Sequence, residues 1–168
     1  MRHALLALAL STCHLPQLDH GLLSDGAYEL RPAVLPWHVV AEPGIELDGA
    51  MAFWASHCPA PPFAAVPGAV PGTLGVVDVA TGPVELGQAE LQTDSAGRIV
   101  SASILLAPMA TDWQTVVLTH ELGHCLGLAD DERSIDLRSI MAGSGLHPGL
   151  DHRLTEQDAM LIGCTAIH

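Results

Sequence analysis

The sequence predicts an α+β fold in a single domain, and three observations carry that expectation. The chain has 168 residues, within the roughly 100 to 200 that one domain takes. Its composition, 49% hydrophobic and 15% charged, supplies a core where a disordered chain would not. The apolar pattern also changes period along the chain, giving a strand, a helix, several strands and then two more helices. Aromatic residues are 4% of the chain, so the core must be built mostly from Ala, Val, Leu and Ile.

Residues 1–32 read as a leader and 33–168 as the folded domain. Met1-Arg2-His3 followed by the apolar run Ala4 to Leu10 forms a minimal export signal. That run is far short of the roughly 20 residues that cross a bilayer, so no transmembrane helix is expected. Leu10-Ser11-Thr12-Cys13 resembles a bacterial lipoprotein cleavage box. Export is therefore expected, as a secreted or periplasmic protein or as a lipoprotein through Cys13. Residues 14–32 show little periodicity and hold Asp19, Asp25 and Glu29, consistent with an N-terminal arm.

Trp37 to Ala41 is a short β-type run between Pro36 and Pro43-Gly44. Leu47 to Ser56 is apolar on a helical rhythm. Pro59 to Gly72 carries five prolines and two glycines and reads as a surface loop. Leu74 to Val79, Gln88 to Thr93 and Arg98 to Leu106 read as strands, with Ser95-Ala96-Gly97 as the turn between the last two. Thr111-Asp112-Trp113-Gln114 fits a capping box that opens a helix ending near Gly127. A last helix starts at Thr155, as cap, and runs to about Cys164.

The charge excludes some functions. Six cationic residues, all arginine, stand against nineteen Asp plus Glu, for a net charge of −13. Phosphate backbones and anionic membranes are held by clustered basic side chains, so neither nucleic acid nor a membrane surface is an expected partner. Cysteines stand at 13, 58, 125 and 164 with no CxxC pair, which leaves a zinc ribbon unsupported. In an exported chain one or two disulfides are expected. Cys125 with Cys164 is the favoured pair, because both fall on predicted helices beside one core; buried free thiols are the alternative.

The chemistry concentrates in His120-Glu121-Leu122-Gly123-His124. Residues four apart stack on one helix face, so both imidazoles can reach one cation, while Glu121 lies displaced around the helix and can meet a water on it. A catalytic zinc usually takes three protein ligands and keeps a position open. Gly127 allows the chain to leave the helix in a left-handed conformation, and Asp130 then returns from outside it. At this chain's own residue frequencies HExxH arises by chance about 0.03 times, and about 0.0002 times with that glycine and aspartate, so the longer pattern is specific. Asp131, His147, His152 and Glu156 remain alternative third ligands. Glu156 is similar to the helix-borne glutamate of thermolysin-like enzymes.

HELGHCLGLAD resembles the motif of the metzincin zinc endopeptidases, in the aspartate variant of the snapalysin-type bacterial proteases. Met141, in Ser139-Ile140-Met141, lies eleven residues past Asp130, where metzincins have a tight turn whose methionine forms an apolar floor below the metal. The resemblance is specific over residues 111–141 and loose over 34–168. It implies a metzincin-like single domain with a small mixed twisted sheet, an active-site helix, a backing helix and a C-terminal helix. It implies Zn2+ bound by His120, His124 and Asp130, with Glu121 as general base. It further implies that Arg98 to Leu106 borders the substrate cleft, where an exposed edge could pair with an extended peptide. Many metzincins have a tyrosine soon after the turn methionine, whereas the one tyrosine here is Tyr28.

The expectation is thus a zinc metalloendopeptidase acting on protein or peptide substrates, as a monomer. Cys13, Asp19 or Asp25 in the leader could occupy the open position and hold the enzyme latent. The rival from another class is a non-catalytic zinc-binding or protein-interaction module. Intact Glu121 argues against it, since metal binding alone does not need that residue.

Overall fold

The computed structural model describes residues 31–130, 138–142 and 146–164. The export segment, Cys13, Asp19, Asp25, Tyr28 and Asp131 lie outside the described residues. The elements follow in the order β1 (Trp37–Ala41), α1 (Asp48–His57), β2 (Phe63–Ala65), β3 (Val76–Thr81), β4 (Gly87–Thr93), β5 (Ile99–Leu106), α2 (Thr111–Cys125) and α3 (Glu156–Ile162). They form one small α+β domain with a single mixed sheet.

The sheet runs β2-β1-β3-β5-β4. Only β4 is antiparallel, to β5; the other pairs are parallel. The β4 to β5 hairpin turns through Asp94 to Arg98. There Asp94 Oδ1 accepts from the amides of Ala96 and Arg98, both at 2.9 Å, and Gly97 takes φ 76°. These bonds hold the Asp94 carboxyl below the usual carboxylate range, the Arg98 amide contributing most. Arg31 and Ala33 are already tied to the start of β5, through Ile99 N to Arg31 O and Ala33 N to Ile99 O, both 2.8 Å.

Alternation along the strands decides which face is covered. Val39 pairs with Val77, Val77 with Ala102 and Val79 with Ile104, so these residues share one face. All are buried in the same cluster as Ala50 and Trp54 of α1 and Val117, Leu118 and Leu122 of α2. The opposite face carries His38, Asp78 and Ser103, each partly or fully exposed. Helix α1 backs α2 directly: Trp54 Nε1 donates to Thr119 O at 3.0 Å, and a methyl built on Gly49 would meet Thr115 Cγ2 at 2.7 Å.

Four expectations need correction. The Pro59–Gly72 segment is not all loop, since Phe63–Ala65 adds to β1 as an edge strand. Its flanking prolines are tolerated because an edge has one bonded side, and Pro62 O accepts from Trp37 N at 2.8 Å. The capping box at Thr111 does not form. Helix α2 is capped at Ala110 without a side-chain bond, and Gln114 Oε1 instead accepts from Glu46 N at 3.2 Å, tying the helix start to the approach to α1.

The third correction concerns β5, which is not an edge: β3 and β4 flank it, and β4 is the edge on that side. The fourth is the disulfide, which joins Cys58 to Cys164 and leaves Cys125 a buried free thiol. Cys164 follows α3 and reaches the end of α1, whereas Cys125 faces the core with no exposed surface. Among the described residues no helix is long and apolar enough to cross a membrane.

Candidate metal centre

Every residue of α2 from Val117 to Cys125 is buried. A helix enclosed on all sides should be apolar throughout, yet this one encloses His120, Glu121 and His124, with Glu121 only 1% exposed. Burying such groups is costly unless other groups engage them, so their presence marks a candidate functional site.

The two rings stand edge to face, centroids 4.7 Å apart. His120 Nδ1 lies 2.8 Å from Ile140 O, and His124 Nδ1 lies 2.8 Å from Leu128 O. A carbonyl only accepts, so each neutral ring carries its proton on Nδ1 and turns a lone pair outward on Nε2. Such backbone partners fix the tautomer and orientation of metal-binding histidines. Desolvation first, and then His120, depress the His124 pKa to about 4, against weaker opposing effects of Asp130 and the Leu128 carbonyl. The His124 ring is neutral at pH 7, the form that binds metals.

Asp130 completes the group. Helix α2 ends in a Schellman arrangement, with Gly127 N bonded to His124 O at 2.9 Å, Leu128 N to Gly123 O at 3.1 Å, and Gly127 at φ 92°. That reversal turns the Leu128 carbonyl onto His124 and carries Asp130 back over the rings. Asp130 Oδ1 lies 3.1 Å from His120 Nε2 and 3.6 Å from His124 Nε2, while the two Nε2 atoms are 3.1 Å apart. Ligand atoms about 2.0–2.1 Å from one tetrahedral ion stand ~3.3–3.4 Å from each other. The triangle has that size. Two neutral imidazoles and a carboxylate are a donor set suited to a divalent cation, and the three residues could hold one.

Met141 is fully buried against α2. Its sulfur lies so close to Gly123 that a β-carbon there would collide with Met141 Sδ, and would meet Trp54 Cζ2 at 3.2 Å. Gly123, between the two histidines, is therefore required by close approach. Glu121 points toward the start of β4, where Gly87 packs against its carboxylate.

The other candidate ligands stand apart from this group. His147 and His152 bond within their own loop, His152 Nε2 to His147 O at 2.9 Å, and His147 packs against Trp113 with centroids 5.6 Å apart. Glu156 opens α3. Cys125 follows His124, but burial, and then the Glu121 charge, push its thiol far above the usual range, so it stays protonated. No side-chain pattern in the sequence points to the carbonyls of Leu128 and Ile140 or to Gly87, because backbone acceptors and absent side chains leave no compositional mark. No protein-family model matches the chain, and no curated protein matches it.

Proposed function

We propose that this protein is a zinc-dependent endopeptidase of the metzincin type, in the HExxHxxGxxD variant. One observation carries the reading: the Nε2 atoms of His120 and His124 and Oδ1 of Asp130 form a triangle of tetrahedral size, with both Nδ1 atoms held on backbone carbonyls and the buried Glu121 next to His120 in sequence. A structural zinc is usually closed by four protein ligands, whereas three protein ligands suit a catalytic one.

His120, His124 and Asp130 would hold the zinc. When bound it supplies a Lewis acid that acidifies water and polarises the scissile carbonyl. Glu121, adjacent in sequence to one ligand, accepts the proton of the attacking water and returns it to the departing amine. Met141 and Trp54 keep the floor dry and apolar, which strengthens the electrostatics above it. With Tyr28 far ahead of the site in sequence, the mechanism draws no help from a tyrosine after the turn. An extended substrate has an edge to pair with along β4, through main-chain hydrogen bonds. Export fits the Cys58–Cys164 disulfide, which persists in oxidising compartments.

Incubation of zinc-loaded wild type with an unfolded polypeptide, read by mass spectrometry, tests the reading. New internal cleavage sites are expected. Glu121→Gln should retain stoichiometric zinc and cleave about 10²- to 10⁴-fold more slowly. Zinc binding with no cleavage by the wild type would contradict the proposal and favour a non-catalytic module.

A further inference from the structure

Several glycines of this chain are explained by their backbone. Gly44, Gly68, Gly72, Gly97 and Gly163 all have positive φ and open space where a β-carbon would stand. Gly87, the first residue of β4, is different. It is not among the positive-φ glycines, so other residues could adopt its conformation. A β-carbon there would nevertheless come within 2.5 Å of Glu121 Oε1, 2.5 Å of Val117 Cγ1 and 3.0 Å of Glu121 Cδ. Real β-carbons do not approach other atoms so closely, so the missing side chain is filled by its neighbours on α2.

We propose that Gly87 is a positioning residue for Glu121: the bare start of the edge strand seats the carboxylate and sets it level with the end of the substrate-pairing edge. This rests on Glu121 being the general base. Any side chain at Gly87 displaces the carboxylate, the strand or both, and misplacement by about 1 Å can cost on the order of 10²-fold in rate. A purely structural explanation competes, since Val117 packs into the same space.

Three variants separate the two: Gly87→Ala, Val117→Ala and the double variant. Truncating Val117 removes the packing clash and leaves the carboxylate clash. Gly87→Ala is expected to lower kcat roughly 10- to 100-fold with KM and zinc stoichiometry nearly unchanged, and the double variant to stay equally slow. Wild-type kcat in Gly87→Ala, or its recovery in the double variant, would overturn the proposal. Cobalt(II)-loaded protein gives a readout independent of hydrolysis. Its visible absorption should shift in Gly87→Ala, and in the double variant, in the same sense as in Glu121→Gln at equal cobalt stoichiometry. A wild-type spectrum in Gly87→Ala, with Glu121→Gln altered, would overturn the assignment. If the wild type cleaves nothing, the endopeptidase reading fails while the cobalt spectra still decide the role of Gly87.

Discussion

Asp130 Oδ1 meets the Nε2 atoms of both imidazoles, and its side chain is 15% exposed where theirs are 3% and 5%. Of the three residues that could hold a cation it is the most exposed and the one not on the helix. Asp130→Ala should weaken zinc affinity by at least ~100-fold, read by competition with a chromophoric chelator, because even outer partners of metal ligands cost 10- to 100-fold when lost. His124 gives a pH signature. Its folded-state pKa, about 4, lies below the ordinary histidine value, so the unfolded metal-free chain binds more protons than the folded one as pH falls. Stability of the metal-free protein should be full above about pH 6.5 and should decline as pH falls toward 4. Denaturant midpoints across that range check the sign, and an unchanged or rising midpoint toward pH 4 would contradict it.

The end of α2 is where local structure controls chemistry. Gly127 at φ 92° lets one turn satisfy the last helical carbonyls, aim Leu128 O at His124 and return Asp130. Gly127→Ala should cost about 1–2 kcal/mol through left-handed strain and also weaken zinc binding, measured by thermal melts and zinc titration. Thr155 accepts from Asp158 N at 3.1 Å; Thr155→Ala should cost about 1 kcal/mol and leave zinc binding alone.

The sequence carried these features unevenly. Gly127, the Thr155 cap and the two histidines were readable, because a left-handed turn, an N-cap and a four-residue helical spacing each demand particular residues. The strand Phe63–Ala65 was hidden, since its three residues sit among prolines and gain their place from β1 alone. The Thr111 box misled, because Gln114 is drawn to Glu46, 68 positions away. Likewise the edge position of β4 depends on strand order, which periodicity does not encode.

At the scale of the whole molecule, Cys58–Cys164 ties the end of α3 to the end of α1, closing a loop with a sequence separation of 106. On a chain-entropy estimate such a loop contributes about 4–5 kcal/mol. Replacing both cysteines by serine should therefore lower the denaturant midpoint sharply, and native wild type should resist alkylation at all described cysteines, with Cys125 reacting only after unfolding. The favoured pairing of Cys125 with Cys164 failed for a reason of packing: lying beside one core does not make two helices neighbours, and α2 turns Cys125 inward. The net charge of −13 agrees with a site that recruits a cation and with a surface that repels phosphate.

The proposed endopeptidase needs three side chains to hold one ion with a coordination position left for water. X-ray absorption at the zinc edge, on protein loaded with one equivalent, tests that most directly. Two imidazole nitrogens and oxygen ligands at about 2.0–2.1 Å with no sulfur are expected, with loss of that signal in Asp130→Ala. A sulfur shell near ~2.3 Å, or an unchanged spectrum without Asp130, would contradict it.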